Sequence, residues 1–208
     1  MRNRVAAATV LLSILAACSV PQRTNSDKPP ADVQAPNAYQ VKMETSKGPV
    51  VISVNRTWAP RGADRFYMLV KRGYYDQARF FRVMPGFVAQ FGIHANPEET
   101  AKWAGAELQD DPVMQPNVKG TLSFASHGPN SRTTQLFINL GDNSGSLDPQ
   151  GFTVFGRVSQ GMDAVEQLYA GYGAAAQEKQ ESITLKGNAF LLESFPKLDF
   201  VQKATVIE

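Results

Sequence analysis

From Tyr39 onward, apolar residues recur at every second position. Tyr39, Val41 and Met43 alternate with Gln40, Lys42 and Glu44, and after Lys47-Gly48-Pro49 the pattern resumes as Val50, Ile52 and Val54. A period of two places alternate side chains on opposite faces of a strand, so one face of each run can be buried. Two antiparallel strands joined by a glycine turn fit this stretch. The alternation by itself implies a β-rich domain and no particular topology. Helical spacing is confined to short stretches. Pro60 suits a first helical turn, and Ala63, Phe66, Tyr67 and Val70 follow it until Gly73. Met162, Val165, Leu168 and Tyr169 predict a second short helix that ends at Gly171. Residues 92–119 read as a long surface loop, with Asp110-Asp111 as a solvated turn. Residues 172–179 read as a mobile stretch, 188–195 as a helical turn before Pro196, and 204–207 as a closing strand.

The first 38 residues have a different character. Arg2 and Arg4 precede an apolar run from Val5 to Ala17 that is too short to span a bilayer comfortably and suits the core of a signal peptide. The run ends Leu15-Ala16-Ala17-Cys18, which resembles the bacterial lipobox. That resemblance implies a signal peptide over 1–17 and lipid attachment at Cys18. It also implies a cell-envelope location, with the outer membrane favoured in a Gram-negative source because Ser19 follows. A conventional signal peptide with an incidental cysteine is the alternative. Cys18 is the single cysteine among the 208 residues, so no disulfide can form within the chain. Residues 18–38 contain four prolines and few large apolar side chains, the composition of a disordered tether. The formal charge of +2 is accounted for by Arg2 and Arg4, and the rest of the chain is neutral. A neutral domain without a basic patch argues against nucleic acid as a partner. His94 and His127 sit in separate loops without ligand spacing, so no metal or other cofactor is expected.

Candidate chemistry lies in Phe80-Phe81-Arg82-Val83-Met84-Pro85-Gly86-Phe87-Val88-Ala89-Gln90-Phe91. Two β-type runs flank a Pro-Gly turn, and two long polar side chains, Arg82 and Gln90, stand among aromatics. Buried polar groups are costly unless they meet a partner, water or a ligand. On these residues alone the stretch reads either as an edge hairpin whose arginine reaches solvent or as a binding site.

Three further blocks decide between them. Gly120 to Asn130 reads G-x-L-x-x-A-x-x-G-P-N, Gln135 to Ile138 reads Q-x-F-I, and Phe152 to Val158 reads F-T-V-F-G-R-V. With F-x-R-x-x-P-G-F-x-x-Q they resemble, in order and spacing, the cyclophilin family of peptidyl-prolyl cis/trans isomerases. The resemblance runs from about Tyr39 to the C-terminus and is firmest between Arg82 and Val158. It implies that residues 39–208 form a mainly β domain: a closed, antiparallel, eight-stranded barrel capped by two helices. It also implies a monomeric enzyme acting on X–Pro bonds of peptides and unfolded proteins.

Residue by residue, Arg82 matches the family's catalytic arginine, and Gln90 a glutamine that orients it. Phe87, Val88 and Phe137 match the floor and wall of the proline pocket. Ala125 and Ser126 match the segment that binds peptide backbone, and Gln135 a second glutamine at the rim. Leu147 stands where many eukaryotic members have tryptophan, and Phe152 where the family has a pocket histidine; both keep the wall apolar. The loss of that tryptophan implies weak cyclosporin binding. Arg132 falls where small residues are common beside the pocket, so an effect on peptide preference is expected. Two other readings stay open: an idle barrel that holds proline-containing segments, and a structural lipoprotein without a peptide site.

Overall fold

The structure is a computed structural model that describes residues 33–207. The signal peptide, Cys18 and residues 18–32 of the tether lie outside the described residues. Packing reaches back to Ala35, which is buried and whose N–H donates to Asp64 Oδ1 at 2.9 Å.

The strands are β1 (Ala38–Thr45), β2 (Gly48–Asn55), β3 (Arg82–Met84), β4 (Val88–Phe91), β5 (Thr121–Phe124), β6 (Leu136–Asn139), β7 (Val154–Gln160) and β8 (Val201–Ile207). Helices are α1 (Pro60–Lys71), α2 (Pro97–Lys102), α3 (Ser144–Leu147), α4 (Met162–Glu166), α5 (Gln180–Lys186) and α6 (Asn188–Ser194). All pairings are antiparallel, in the order β3-β4-β6-β5-β7-β2-β1-β8. The first hairpin forms as its alternation predicts: Tyr39, Val41 and Met43 pair with Val54, Ile52 and Val50, and all six are buried. These join Val83, Ala89, Phe91, Leu122, Phe124, Leu136, Ile138 and the inner side of α1 in the main core.

The sheet is curled but open, which corrects the closed barrel. Its ends are β3 and β8. Between them a single bridge, Arg79 to Phe200, is flanked by the bonds Phe80 N to Asp199 O and Val201 N to Ala78 O, both 2.9 Å. The reason is local. The N–H of Val83 in β3 donates to Gly173 O at 3.3 Å, so a turn of the C-terminal segment takes the place at that edge that β8 would need.

Three loop expectations are also corrected. Residues 92–119 carry α2, and the buried Trp103 packs under the Arg65 guanidinium, 4.9 Å from its ring centroid. Asp111 is buried, not solvated. Its two carboxylate oxygens accept the N–H groups of Arg61 and Gly62, each at 3.0 Å. Ala59 at the start of α1 has no side chain to cap the helix, so a carboxylate from a distant loop satisfies those donors where the helix dipole is positive. Residues 172–179, expected to be mobile, pack through the fully buried Ala176 into a second apolar cluster with Phe81, Ile93, Ile183, Leu191 and Leu198.

Candidate active site

Strand register builds the site. In β3–β4, Arg82 lies opposite Gln90; in β4–β6, Gln90 lies opposite Phe137; in β5–β6, Phe137 lies opposite Ser123. Residues directly opposite one another share a face. Arg82, Gln90, Phe137 and Ser123 therefore form one row across four strands, on the face turned away from the main core. Their chain neighbours Val83, Ala89, Phe91, Leu122 and Leu136 point into that core. This resolves the two-sided hairpin: one face folds the domain and the other is left to a site.

Each side chain in the row has a defined partner. Arg82 Nη1 donates to Gln90 Oε1 at 3.3 Å, and Gln90 Nε2 donates to Gln135 Oε1 at 3.1 Å. The Arg82 guanidinium also lies 5.3 Å from the Phe87 ring centroid, and its Nε approaches Met84 Sδ at 3.4 Å. Partial burial lowers its pKa from the ordinary arginine value, yet a guanidinium stays charged at neutral pH. Val88, Phe137 and Leu147 form a small apolar cluster joined by Phe87, Ala125 and Phe152, with Phe137 and Phe152 edge to face at 5.6 Å.

These residues enclose a cavity of about 260 Å³, lined by Arg82, Phe87, Val88, Gln90, Ala125, Ser126, Phe137, Leu147, Gln150, Phe152 and Gln177. A neighbouring cavity of about 280 Å³ shares Gln90, Ala125, Ser126 and Gln177, and adds Gln135, Thr133, Ser131, His127 and Gln180. The sequence-derived residues thus converge on two adjoining hollows, one with an aromatic and aliphatic wall facing polar side chains and one more polar.

A buried amide network holds the walls. Asn117 Nδ2 donates to Asp148 Oδ1 and to Phe152 O, both at 2.7 Å, and Ser123 Oγ donates to Asn117 Oδ1 at 2.8 Å. Asn143 Nδ2 donates to Phe87 O at 2.8 Å and to Asn139 Oδ1 at 2.7 Å. The Phe87 turn is also pressed against Gly141, where a Cβ would come within 2.2 Å of Gly86 O. Only glycine permits that approach.

The family model described as "Cyclophilin type peptidyl-prolyl cis-trans isomerase/CLD" matches residues 40–187. The chain belongs to the cyclophilin family. Peptidyl-prolyl cis-trans isomerase-like 1 of Gibberella zeae is 34% identical over 134 residues, covering 62% of this chain and 80% of that protein. The peptidyl-prolyl cis-trans isomerase of Acinetobacter baylyi is 35% identical over 133 residues, covering 62% and 70%. A solved cyclophilin-type isomerase of Cryptosporidium parvum shares the fold, with a TM-score of 0.58 at 17% identity, over 82% of this chain and 98% of that one. By family and by its relatives this cyclophilin is a peptidyl-prolyl cis-trans isomerase.

One expected neighbour of the cleft is elsewhere. Arg132 lines neither cavity and is 2% exposed. Its Nη1 pairs with Asp111 Oδ2 at 3.1 Å and Nε with Asp110 Oδ1 at 3.2 Å, while Thr153 Oγ1 and Gln109 O accept further bonds. A guanidinium held among two carboxylates, a hydroxyl and a carbonyl stays inside because its charge is balanced and both terminal nitrogens are hydrogen-bonded there, although Nε, close to Asp110, makes no hydrogen bond. Conversely, Asn117, Asn139, Asn143 and Gln177 belong to the site's surroundings and were not singled out in the sequence. Gln177 lies outside the motif blocks, and the asparagines read as ordinary loop or strand-end residues, so no local signal marked them.

Proposed function

We propose that Arg82 is the catalytic group of this isomerase, that Phe87, Val88, Phe137, Leu147 and Phe152 receive the proline ring, and that Gln90 orients the arginine. The observation that carries this reading is the guanidinium on the wall of the same cavity of about 260 Å³ as those five apolar side chains. Rotation about an X–Pro bond faces a barrier near 18–20 kcal/mol because the C–N bond has partial double-bond character. Twisting the amide localises a lone pair on the prolyl nitrogen, so a donor aimed there binds the twisted state better than either planar one. That difference lowers the barrier without a nucleophile or proton transfer. Arg82 suits the task because it is charged and its orientation is set by Gln90, which is set in turn by Gln135. Ala125, Ser126 and Gln135 run past the cavity and bind the peptide backbone in this reading. The test is a protease-coupled assay on an Ala-Pro peptide with the wild type and Arg82→Ala. Activity that disappears in a folded variant supports the assignment, whereas full activity in that variant overturns it.

We further propose that the enzyme assists the folding of exported proteins in the bacterial cell envelope, as a monomer anchored by lipid at Cys18. The motif Leu15-Ala16-Ala17-Cys18 after an apolar run supports this. Acyl mass on the N-terminal peptide of membrane-extracted protein, lost together with membrane association in Cys18→Ala, is the expected result. A wild type that is unlipidated and cut elsewhere would falsify it.

A further inference from the structure

The segment from Gly171 to Phe195 contributes to the cleft although the motif blocks end before it. Ala176 is fully buried against Phe81 and Ile93, so the backbone of its neighbour Gln177 is held in place. Gly173 O accepts the Val83 N–H of β3, and Lys179 N donates to Ala176 O at 3.0 Å. Gln177 is half-buried and lines both cavities, while Gln180 lines the polar one. Among the described residues, the Gln177 carboxamide has no hydrogen-bond partner within the chain. By contrast, Arg82, Gln90 and Gln135 are already bonded to one another. The polar cavity is lined by Ser126, His127, Ser131, Thr133 and Gln135 besides these glutamines, and by no Asp, Glu, Lys or Arg side chain.

We infer that Gln177 and Gln180 are specificity-determining residues: they complete a subsite for an uncharged, hydrogen-bonding side chain (Asn, Gln, Ser or Thr) close to the X–Pro bond. This rests on the reading of the adjoining cavity as the proline pocket. A carboxamide presents one acceptor and two donors, which an amide or hydroxyl can meet. A charged side chain entering this hollow would lose water without meeting an Asp, Glu, Lys or Arg partner, and an aliphatic one would leave the amides unpaired. Because Ala176 beside it is buried, the Gln177 backbone is placed before the peptide arrives, and binding has only the side chain to order.

The experiment uses the full chain and labelled peptides that differ in one residue flanking the X–Pro pair, scanned on either side as Gln, Leu, Glu or Lys. Dissociation constants come from fluorescence anisotropy and kcat/KM from the protease-coupled assay. The wild type is expected to bind the Gln peptide tightest. Gln177→Met keeps the length and packing of the side chain and removes its hydrogen bonding. It should weaken the Gln peptide roughly three- to tenfold, as the loss of one neutral hydrogen bond predicts, and erase the preference over Leu. Gln180→Ala should narrow the same preference. Gln177→Met with unchanged affinity and unchanged preference, in a protein that Arg82→Ala still silences, overturns this inference and leaves the proline pocket standing. A wild type that isomerises none of the peptides removes both.

Discussion

Two arginines, fifty residues apart in sequence, show how environment assigns a role. Arg82 is half-exposed on a cavity wall and, among the described residues, its guanidinium bonds only to Gln90 and the Met84 sulfur. A charge-assisted hydrogen bond is worth about 1.5–3 kcal/mol, and each 1.4 kcal/mol is tenfold in rate. Arg82→Ala is therefore expected to cut kcat/KM by roughly ten- to a hundredfold. Arg82→Lys should recover little, since an ammonium lacks the planar fork of donors. Thermal unfolding of the same variants should move little, which separates a catalytic role from a structural one. Arg132 reverses this pattern. It is buried with Asp111, and truncating one member of a buried pair costs about 3–5 kcal/mol. Asp111 would keep two backbone N–H donors, so the lower end applies. Arg132→Ala should lower Tm on the order of 10 °C in calorimetry. Its relative turnover of Glu- and Lys-bearing peptides should match the wild type.

Among elements, the β3–β4 hairpin carries the most information per residue. Its register sets Arg82 beside Gln90, and its turn is fixed by the close approach of Gly86 to Gly141. The C-terminal segment depends on another glycine. Gly187, with φ of +58°, separates α5 from α6, and a Cβ there would come within 2.2 Å of Ala95 O. The same contact includes the Asn188 N–H, which donates to Ala95 O at 3.0 Å. Gly187→Ala combines backbone strain with a clash, a cost of about 1–3 kcal/mol that falls first on this segment. Limited proteolysis should cut the variant faster within residues 171–195. Turnover of a short Ala-Pro peptide should persist, because most of the cavity beside Arg82 is built by strands and by the α3 loop. Intact protection of the segment in Gly187→Ala would show that Ala95 does not hold it.

At the scale of the whole molecule, stability should depend on His94. Its ring packs against Tyr74 at 5.0 Å, and Nδ1 accepts the Asn96 N–H at 2.9 Å. Burial lowers its pKa below the ordinary 6.5, outweighing the opposite pulls of the Asn96 backbone and of Glu99 and Asp76. The unfolded chain then binds a proton before the folded one does, so stability rises with pH in that window. The contribution is complete above about pH 6.5 and is lost as pH falls from there through the folded value. Urea melts between pH 7.5 and 5 should show this decline, and His94→Phe should flatten it. How much of the molecule was legible beforehand follows from the range of each interaction. Alternation, the Pro-Gly turn and the order of the motif blocks are properties of neighbouring residues. They were enough to mark strands β1 to β4 and helix α1, and to carry the family resemblance, which in turn pointed to nine of the residues that line the cavity beside Arg82. Everything read wrongly or missed depends on residues distant in the chain. Asp111 reads as a solvated acid until α1 places two N–H donors against it and Arg132 closes over it. Gln177 reads as a loop residue until Ala176 is buried beneath Phe81. The barrel reads as closed until Gly173 meets the edge of β3. Sequence determined which side chains could do the chemistry, because chemistry resides in residue type and short spacing. Only the tertiary structure decided which charges are buried, which edge is covered and which amide is left unpaired, because those depend on what the fold brings alongside.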